Sequence, residues 1–522
     1  MKLSYKTLRA FAVIYAVIPI IIFYFGWFTP IAGLIFSLLT ASGVVIFLRD
    51  NCDGEYSYGE ISQKQLIAAA AIAVLWCFFA GQGGFVHQTS DHITRNAIFR
   101  DMIKLPWPVI YNDDSLLSYY IAHWIVPAAV GKGILAVSGS VSAGLMAGRI
   151  SLLIWSSLGI FISLLLISVI SAHSNKCRVI LSSVLLIFFS GLDNIGGLIN
   201  DTVLTHLEWW AGFAQFSSMT TCLFWVYNQF IVILPLTLCI INETSTKSFA
   251  FLGLLMLPYG PFPFVGIIMI CLIKAAVMAA ESIRQKKLSR FIKETLSPQN
   301  IIMLPAVGLP YALYYMSNMI ISNDMSVGGE AVNTGFRLHS YLTKHIASGD
   351  ASGIAAFILN YLQFLLLEAG VYIIILFIFH KKSGSKKNVF YLSCLPLMLI
   401  PLFQIGTAFD FSMRVSIPML IYIGVEFIRM MNSEMPTEFQ IKDLRSIINT
   451  KPLLACAVLI FCTGAATPLF EFGREIGKTI TIGTEKESGP GYMASLNDNL
   501  AKQNFVSVNY RESPFYKYLL RK

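Results

Sequence analysis

Long apolar runs recur along the chain, separated by short polar connectors. A stretch of about 20 apolar residues is the length that an α-helix needs to cross a lipid bilayer. The runs that meet or approach this length are 8–28, 30–48, 65–82, 149–172, 179–197, 222–241, 248–258, 262–280, 300–321, 354–380, 388–404, 414–431 and 453–470. The pattern therefore predicts an all-α polytopic membrane protein with about thirteen transmembrane helices.

A long polar interruption, residues 83–148, follows the third predicted helix. Its first part, 83–123, is rich in ionisable side chains: His87, Asp91, His92, Arg95, Arg100, Asp101, Asp113, Asp114 and His123. Because the basic N-terminus is expected to face the cytoplasm, the third helix delivers this loop to the outer face. Residues 119–139 are apolar, but counting them as a span would put the basic connector 173–178 outside. We therefore predict an amphipathic or re-entrant helix along the outer interface.

Composition agrees with a membrane domain that makes up most of the protein. The 522 residues are 56% hydrophobic and 13% charged, with a mean hydropathy of +0.66. The net charge of +9 needs no nucleic-acid partner, since the basic clusters 284–290 and 381–387 fit the enrichment of cations in cytoplasmic loops. The cysteines show no CxxC spacing, so neither a zinc site nor a disulfide framework is indicated.

The chain divides into four predicted parts. Residues 1–64 form two extra N-terminal transmembrane helices, and 65–432 form a catalytic core whose external loop is 83–148. Residues 433–470 form a cytoplasmic loop and the last transmembrane helix. Residues 471–522 form a small external tail, which Tyr492, Tyr510, Phe515 and Tyr516 would anchor over the site.

The predicted topology collects chemically versatile side chains on the outer face. Six of the eight histidines fall in outer loops. The outer connectors also carry Asp201, His206, Glu208, Trp209, Arg337, His339, Lys344 and Arg414. Charged residues are expected at the ends of the spans and not deep within them. Solvated connectors do not require histidines and acids on one side only, so the distribution favours a functional site.

The order of four short motifs resembles the GT-C superfamily, the membrane glycosyltransferases that use polyprenyl-phosphate-linked sugars. The motifs are Asp91 in Thr-Ser-Asp-His soon after a span, Ala147-Gly-Arg149-Ile-Ser at a return span, the turn Tyr259-Gly-Pro-Phe-Pro263, and Met413-Arg-Val-Ser-Ile-Pro418. The resemblance covers about residues 65–432. The chain departs from the protein mannosyltransferase branch at His92, where that branch often has a second acid.

The resemblance implies transfer of a sugar to an acceptor on the outer face, in a single displacement that inverts the anomeric centre. Asp91 would act as general base, with His92 or Glu208 as the next candidates. The departing phosphate would be neutralised by cations drawn from Arg337, His339, Lys344 and Arg414. His206, Trp209 and Asp201 would contact the acceptor or the sugar. Glycan, lipid and protein acceptors all stay open.

Each of these residues has a simpler interpretation. Asp91 is well placed to cap a helix, Arg414 to anchor a span, and the Trp209–Trp210 pair to lie in the aromatic belt of the membrane interface. No His pair at helical i, i+4 spacing is present, so a divalent cation is an open question and no other cofactor is indicated.

Two other functions share the same features. A polysaccharide polymerase or ligase would also use large outer loops, and a flippase or transporter of lipid-linked sugars would also need outer cations. A transporter should carry ionisable residues deep within its spans or show inverted repeats. We expect a multi-pass protein of a bacterial inner membrane, with the site on the periplasmic side.

Overall fold

The computed structural model describes residues 2–50, 58–201, 206–319, 326–327, 330–331, 337–405, 409–436, 450–484 and 505–522. About 75% of the described residues are helical. The α-helices are α1 (Tyr5–Trp27), α2 (Pro30–Arg49), α3 (Gln63–Phe79), α4 (Asp91–Lys104), α5 (Ala122–Ser138), α6 (Val141–Ile170), α7 (Val179–Ile187), α8 (Asp193–Ile199), α9 (Met219–Trp225), α10 (Tyr227–Asn242), α11 (Phe249–Leu254), α12 (Pro261–Arg284), α13 (Leu288–Thr295), α14 (Pro298–Met303), α15 (Leu309–Met319), α16 (Ser340–Ser348), α17 (Ala351–Leu365), α18 (Val371–Lys382), α19 (Asn388–Cys394), α20 (Asp410–Val415), α21 (Ile417–Glu434), α22 (Pro452–Gly464), α23 (Ala466–Thr481) and α24 (Pro514–Tyr518).

Short 3-10 turns and π-turns connect several of these helices. The 3-10 turns are Leu207–Trp209, Thr246–Ser248, Leu395–Met398, Ile400–Leu402 and Tyr510–Glu512, and the π-turns are Leu304–Gly308 and Leu366–Gly370. Four antiparallel strand pairs are also present: β1 (Lys2–Ser4) with β2 (Tyr58–Glu60), β3 (Leu116–Leu117) with β8 (Val506–Ser507), β4 (Ser326–Val327) with β5 (Glu330–Ala331), and β6 (Arg337–Leu338) with β7 (Phe403–Gln404).

The prediction of an all-helical membrane protein is confirmed. Within the described residues, six helical stretches are long and apolar enough to cross a bilayer: Tyr5–Trp27, Pro30–Arg49, Val141–Ile170, Pro261–Arg284, Ala351–Lys382 and Pro452–Thr481. Four shorter apolar helices accompany them. The number thirteen stays a prediction.

Several predicted spans have different bounds in the structure. The run 179–197 is broken, since α7 ends at Ile187 and α8 begins only at Asp193. The run 222–241 is divided at Val226, between α9 and α10. The last long helix continues through Thr481, so residues 471–481 are helical.

The return helix α6 also starts earlier than the predicted residue 149. Ser140 caps it by accepting a hydrogen bond from Ala143 N at 3.3 Å. The chain then runs antiparallel to α5, because Gly139 turns it in the left-handed conformation at φ 66°. A Cβ atom on Gly131 would lie 2.8 Å from the Gly144 carbonyl oxygen, and only glycine permits this close approach.

The C-terminal residues are attached to the long connector 83–148. Strand β8 pairs with β3, and Ser118 N donates to Phe505 O at 2.9 Å. Tyr510 and Phe515 are buried, and the Phe515 ring contacts Phe28 and Tyr314. The predicted anchors Tyr510 and Phe515 thus pack on this connector and on α1 and α15, whereas Tyr492 lies outside the described residues.

Candidate functional site

Asp91 is the first residue of α4, where the chain leaves the turn that follows α3. That turn contains three glycines in the left-handed region, Gly81, Gly83 and Gly84. Arg149 of α6 fixes it by donating Nε to Gly83 O at 2.7 Å and Nη2 to Gly84 O at 2.5 Å. The motif arginine therefore holds the segment that leads to Asp91.

The Asp91 carboxylate is accessible and ion-paired at once. Its Oδ2 lies 2.9 Å from Arg95 Nη2, one helical turn further along α4, and its side chain is 42% exposed. Arg95 itself is buried and donates its other terminal nitrogen to Trp225 O. Burial acts to lower the pKa of Arg95, but the negative charge of Asp91 raises it above its ordinary value, so the arginine stays a cation.

A second buried arginine, Arg414 of α20, interacts electrostatically with the same carboxylate. It donates Nη2 to Asp410 at 2.9 Å and Nη1 to Tyr120 Oη at 3.1 Å. Burial acts to lower its pKa, while Asp410, the tyrosines Tyr120 and Tyr119, and Asp91 raise it. Its Nε is buried and has no hydrogen-bond partner among the described residues. Arg414 thus keeps one donor for a group that lies outside its own ion pair.

Close backbone packing holds α20 in place. A Cβ atom on Gly266 of α12 would lie 2.1 Å from Val415 O, so only a glycine fits between the two helices. Gly266 lies one and a half turns into the helix that starts at the Gly-Pro motif. Two of the motifs singled out in the sequence therefore meet at the helix that carries Arg414.

Helix α23 forms a further wall of the site through Trp225. The Trp225 indole Nε1 donates to Glu471 Oε2 at 2.9 Å, while its carbonyl accepts from Arg95. Arg474 binds Glu471 through both terminal nitrogens, at 2.9 and 2.5 Å, and its Nε donates to Glu475 at 2.9 Å. His87 lies 2.5 Å from the other oxygen of Glu475. Both glutamates are buried.

His206 lies between this wall and Asp91. Its ring stacks on Trp209 at 4.7 Å and packs against Trp225 at 4.4 Å. Burial and the positive charge of Arg474 lower its pKa to about 4, against a smaller opposing effect of Asp91. Both ring nitrogens are buried without a hydrogen-bond partner among the described residues, the nearest acid being Glu471 at 3.7 Å. A neutral imidazole of this kind can accept or donate a hydrogen bond to a bound hydroxyl.

Trp209 adds an accessible aromatic surface beside His206. Trp209 is 42% exposed, and its indole nitrogen donates a hydrogen bond to Gln215 Oε1 at 3.1 Å. Its neighbour Trp210 is buried and donates to Glu368 at 2.7 Å. The two tryptophans therefore have different surroundings, and only Trp209 offers a face to a ligand.

His92 is unsuited to the role of general base. It is buried, its Nε2 lies 3.1 Å from Phe224 O, and its Nδ1 lies 3.1 Å from Gln88 Nε2. These partners fit the neutral tautomer protonated on Nε2, which leaves neither nitrogen for a substrate. Burial, and after it the charge of Arg95, lowers its pKa to about 4.

Glu208 is also committed to protein contacts. It is buried and accepts hydrogen bonds from Gln215 Nε2 and Ser217 Oγ, both at 2.7 Å, and from Ser218 N at 2.8 Å. Burial, and after it the negative charge of Asp193, raises its pKa to about 8. The geometry supports a structural role in holding the loop that also bonds to α20 through Gln215 N and Ser412 Oγ.

The described contacts of the remaining predicted site residues are with other parts of the chain. His339 is buried between Phe213 and Phe357 and caps α16, accepting from Tyr341 N at 3.3 Å. Lys344 is exposed on α16. The backbone of Arg337 pairs with Gln404, and its side chain lies outside the described part of the structure. Asp201 is exposed in a turn at φ 48°.

Sequence reasoning missed Arg95, Tyr120, Trp225, Glu471 and Arg474 as parts of the site. The spacing of Asp91 and Arg95 at i, i+4 was a usable signal for the first of them. Only a weak indication of Glu471 and Arg474 was present in the sequence. Together with Glu475 they are spaced so that they lie on one face of a helix, directly after the predicted span 453–470.

The structure does not assemble an evident metal centre. In the described ranges, no group of three or more His, Cys, Asp or Glu side chains is arranged to hold a metal ion. A polar cavity of about 330 Å³ lies near the far end of α10, lined in part by Arg9, Glu243 and Glu294. It contains ion pairs such as Arg9–Glu243 at 2.7 Å, and Asp91 is not among its lining residues.

No protein-family model, curated protein or solved structure matches the chain. The family resemblance of the sequence motifs therefore stays a prediction.

Proposed function

We propose that the chain is a membrane glycosyltransferase that moves a sugar from a polyprenyl-phosphate donor to an acceptor hydroxyl on the outer face of the membrane. The observation that carries the proposal is the accessible Asp91 carboxylate in its 2.9 Å ion pair with the buried Arg95, together with a second buried arginine, Arg414, that interacts electrostatically with the same carboxylate. A solvated connector does not require buried arginines of this kind, because buried charges are retained only where they are paired.

Asp91 is the proposed general base. It would accept the proton of the acceptor hydroxyl as the hydroxyl oxygen attacks the anomeric carbon, and the bond from that carbon to the phosphate oxygen would break. Arg95 holds the carboxylate in one orientation through the 2.9 Å ion pair. The burial and the hydrogen bonds of His92 and Glu208 described above favour Asp91 over them for this role.

Arg414 is the proposed ligand of the leaving phosphate. Its unpartnered Nε is a donor in a buried setting, where a charge-assisted hydrogen bond to a developing phosphate charge is strong. Arg337, His339 and Lys344 lack this support. His206 and the face of Trp209 are the proposed contacts for the sugar or the acceptor, and a divalent cation is not needed for either step as written.

The test is donor binding by purified protein to a panel of polyprenyl-phosphate sugars, with Arg414→Gln beside Arg511→Gln. Arg511 is an exposed arginine whose side chain pairs at 2.8 Å with Asp114, a residue of the connector 83–148. Its substitution therefore controls for the loss of one positive charge. We expect one donor to bind, Arg414→Gln to weaken that binding at least tenfold, and Arg511→Gln to leave it unchanged. Equal binding by all three proteins would remove Arg414 from the site.

A second candidate, a carrier of lipid-linked sugars, is favoured by one observation. Glu368 lies in the middle of the span Ala351–Lys382 and is buried. Lys274 is buried within Pro261–Arg284 as well, although its ammonium donates to Ile240 O, Ile241 O and Glu243 O and so caps α10. The expectation that charges lie only at span ends is therefore wrong. Transport of a fluorescent lipid-linked sugar in proteoliposomes, without its consumption, would favour the carrier; transfer of an intact oligosaccharide would favour a polymerase or ligase.

A further inference from the structure

Two buried acids meet inside the membrane domain, away from Asp91. Asp193 is the first residue of α8, and Glu368 lies in the π-turn Leu366–Gly370 that joins α17 to α18. They are 1% and 3% exposed, and the bond from Leu192 N to Leu367 O at 3.1 Å brings their segments together, so that the two carboxyl groups interact with each other. A carboxylate is only an acceptor, so a hydrogen bond between two carboxyl groups requires a proton on one of them.

Neutral donors satisfy the outer oxygens of the pair. Ser190 Oγ and Thr467 Oγ1 donate to Asp193 Oδ2 at 3.0 and 2.7 Å, and Trp210 Nε1 donates to Glu368 Oε1 at 2.7 Å. The remaining oxygens, Asp193 Oδ1 and Glu368 Oε2, are buried and have no hydrogen-bond partner among the described residues. Each carboxyl group therefore has one oxygen left for the other acid or for a bound cation.

The titratable groups that interact with the pair do not bring a positive charge to it. They are Glu208 from the 3-10 turn Leu207–Trp209, Tyr372 from α18 and, through Tyr372, Cys462 from α22. Two ionised carboxylates in contact, buried and without a cation, would repel strongly in a medium of low dielectric constant. The charge balance therefore calls for one bound positive charge.

The backbone around the pair is shaped to admit it. A Cβ atom on Gly191 would lie 2.1 Å from Glu368 Oε2, and one on Gly464 would lie 3.0 Å from the Tyr372 hydroxyl. That hydroxyl is fully buried and unpartnered among the described residues. It interacts electrostatically with both carboxyl groups. The π-turn Leu366–Gly370 brings Glu368 to this position. Such turns are rare in proteins overall but are frequent at functional sites.

We propose that Asp193 and Glu368 form a proton-binding site within the membrane domain, in which one proton is shared by the two carboxyl groups. The proton joins α8 to the α17–α18 span, and Asp193 in turn holds Thr467 at the start of α23. Helix α23 carries Glu471 and Arg474 of the candidate site. A proton bound by Asp193 and Glu368 therefore stabilises the position of α23 in the candidate site around Asp91, although it takes no part in the chemistry of that site.

Infrared difference spectroscopy of the purified full-length protein tests the proposal. Wild-type protein at neutral pH should show the stretching band of a protonated carboxyl group, which shifts on exchange into deuterated water. Because the raised pKa of Glu208 keeps that acid protonated at neutral pH as well, the comparison is made in a Glu208→Gln background, in which Glu368→Gln and Asp193→Asn should each remove the remaining band. Glu434→Gln, which changes a partly exposed acid paired with Lys451 at 3.2 Å, should leave it in place.

Thermal stability gives a second readout that does not depend on band assignment. The amide of Glu368→Gln donates a permanent hydrogen bond to Asp193, so this variant should keep its melting temperature at alkaline pH, where wild-type protein loses stability as the shared proton leaves. Absence of the band from the Glu208→Gln protein would overturn the proposal. So would stabilisation by sodium over choline at equal ionic strength, since a metal cation would then take the place of the shared proton.

Discussion

Replacing Arg474 by alanine is expected to destabilise the protein strongly, because this arginine holds two buried acids. It contributes two hydrogen bonds to Glu471 and one to Glu475. The two glutamate side chains are each 2% exposed, and that of Arg474 is 13% exposed. After the change, Glu471 keeps only the indole of Trp225 and Glu475 keeps His87.

The size of the effect follows from what the acids can do without the arginine. A buried carboxylate can lose its charge by binding a proton, which at pH 7 costs roughly 3–4 kcal/mol for an ordinary glutamic acid. Glu475 keeps its contact with His87 at 2.5 Å, so the loss is expected once and not twice. This agrees with the 3–5 kcal/mol that removal of one partner of a buried ion pair typically costs.

The assay is thermal unfolding in detergent followed by tryptophan fluorescence. Arg511→Ala is the control, since its pair with Asp114 is exposed to solvent and should contribute little to stability. Adding Glu471→Gln and Glu475→Gln to Arg474→Ala should recover most of the lost stability, because no buried charge is then left unpaired. If Arg474→Ala has the same melting temperature as Arg511→Ala, helix α23 does not pack on Trp225, and the assignment of α23 to the candidate site is refuted.

Three further predictions concern groups around the site. The folded protein keeps His92 neutral down to about pH 4, whereas an unfolded histidine takes up a proton near pH 6.5. The free energy of unfolding should therefore fall by roughly 3 kcal/mol as the pH drops from 6.5 to 4. In His92→Gln, the melting temperature should depend less on pH over this acid range. Glu208 has the opposite sign: its pKa is raised to about 8, so its contribution is complete below its ordinary value of 4.5 and is lost as the pH rises through 8. Glu208→Gln should therefore match wild type below about pH 4.5 and be the more stable protein by roughly 3 kcal/mol at pH 7. Gly131→Ala would bring a methyl group to 2.8 Å from Gly144 O and should lower the free energy of unfolding by about 1–3 kcal/mol. Gly133→Ala meets nothing within 4 Å and should stabilise α5 by up to about 1 kcal/mol. Equal melting temperatures for these two variants would contradict the α5–α6 packing.

The class of fold was accessible from the sequence because a bilayer imposes a length on every helix that crosses it. Hydropathy does not record breaks inside an apolar run, however. The interruptions at Phe188 and Val226 are made by tertiary contacts, such as the bond from Met219 N to Phe189 O at 3.3 Å. The bounds of α7, α9 and α10 were unpredictable for that reason.

The site was predicted in part for a related reason. Asp91 and Arg414 stand at span ends and carry chemistry that a motif can indicate. Their partners come from distant parts of the chain: Tyr120 meets Arg414, and Trp225 meets both Arg95 and Glu471. His92 and Glu208 appeared suitable as bases because their residue types are, and only their burial and hydrogen bonds remove them.

The most direct test of the central claim compares Asp91→Asn with Asp114→Asn in single-turnover transfer from a donor that the wild-type protein binds. Asp114 is an exposed acid of the same connector 83–148, with a side chain that is 53% exposed. The account predicts that both variants bind the donor like wild type, that Asp91→Asn loses at least a hundredfold in the transfer rate, and that Asp114→Asn keeps it. Normal transfer by Asp91→Asn, with binding intact, would show that Asp91 is not the base.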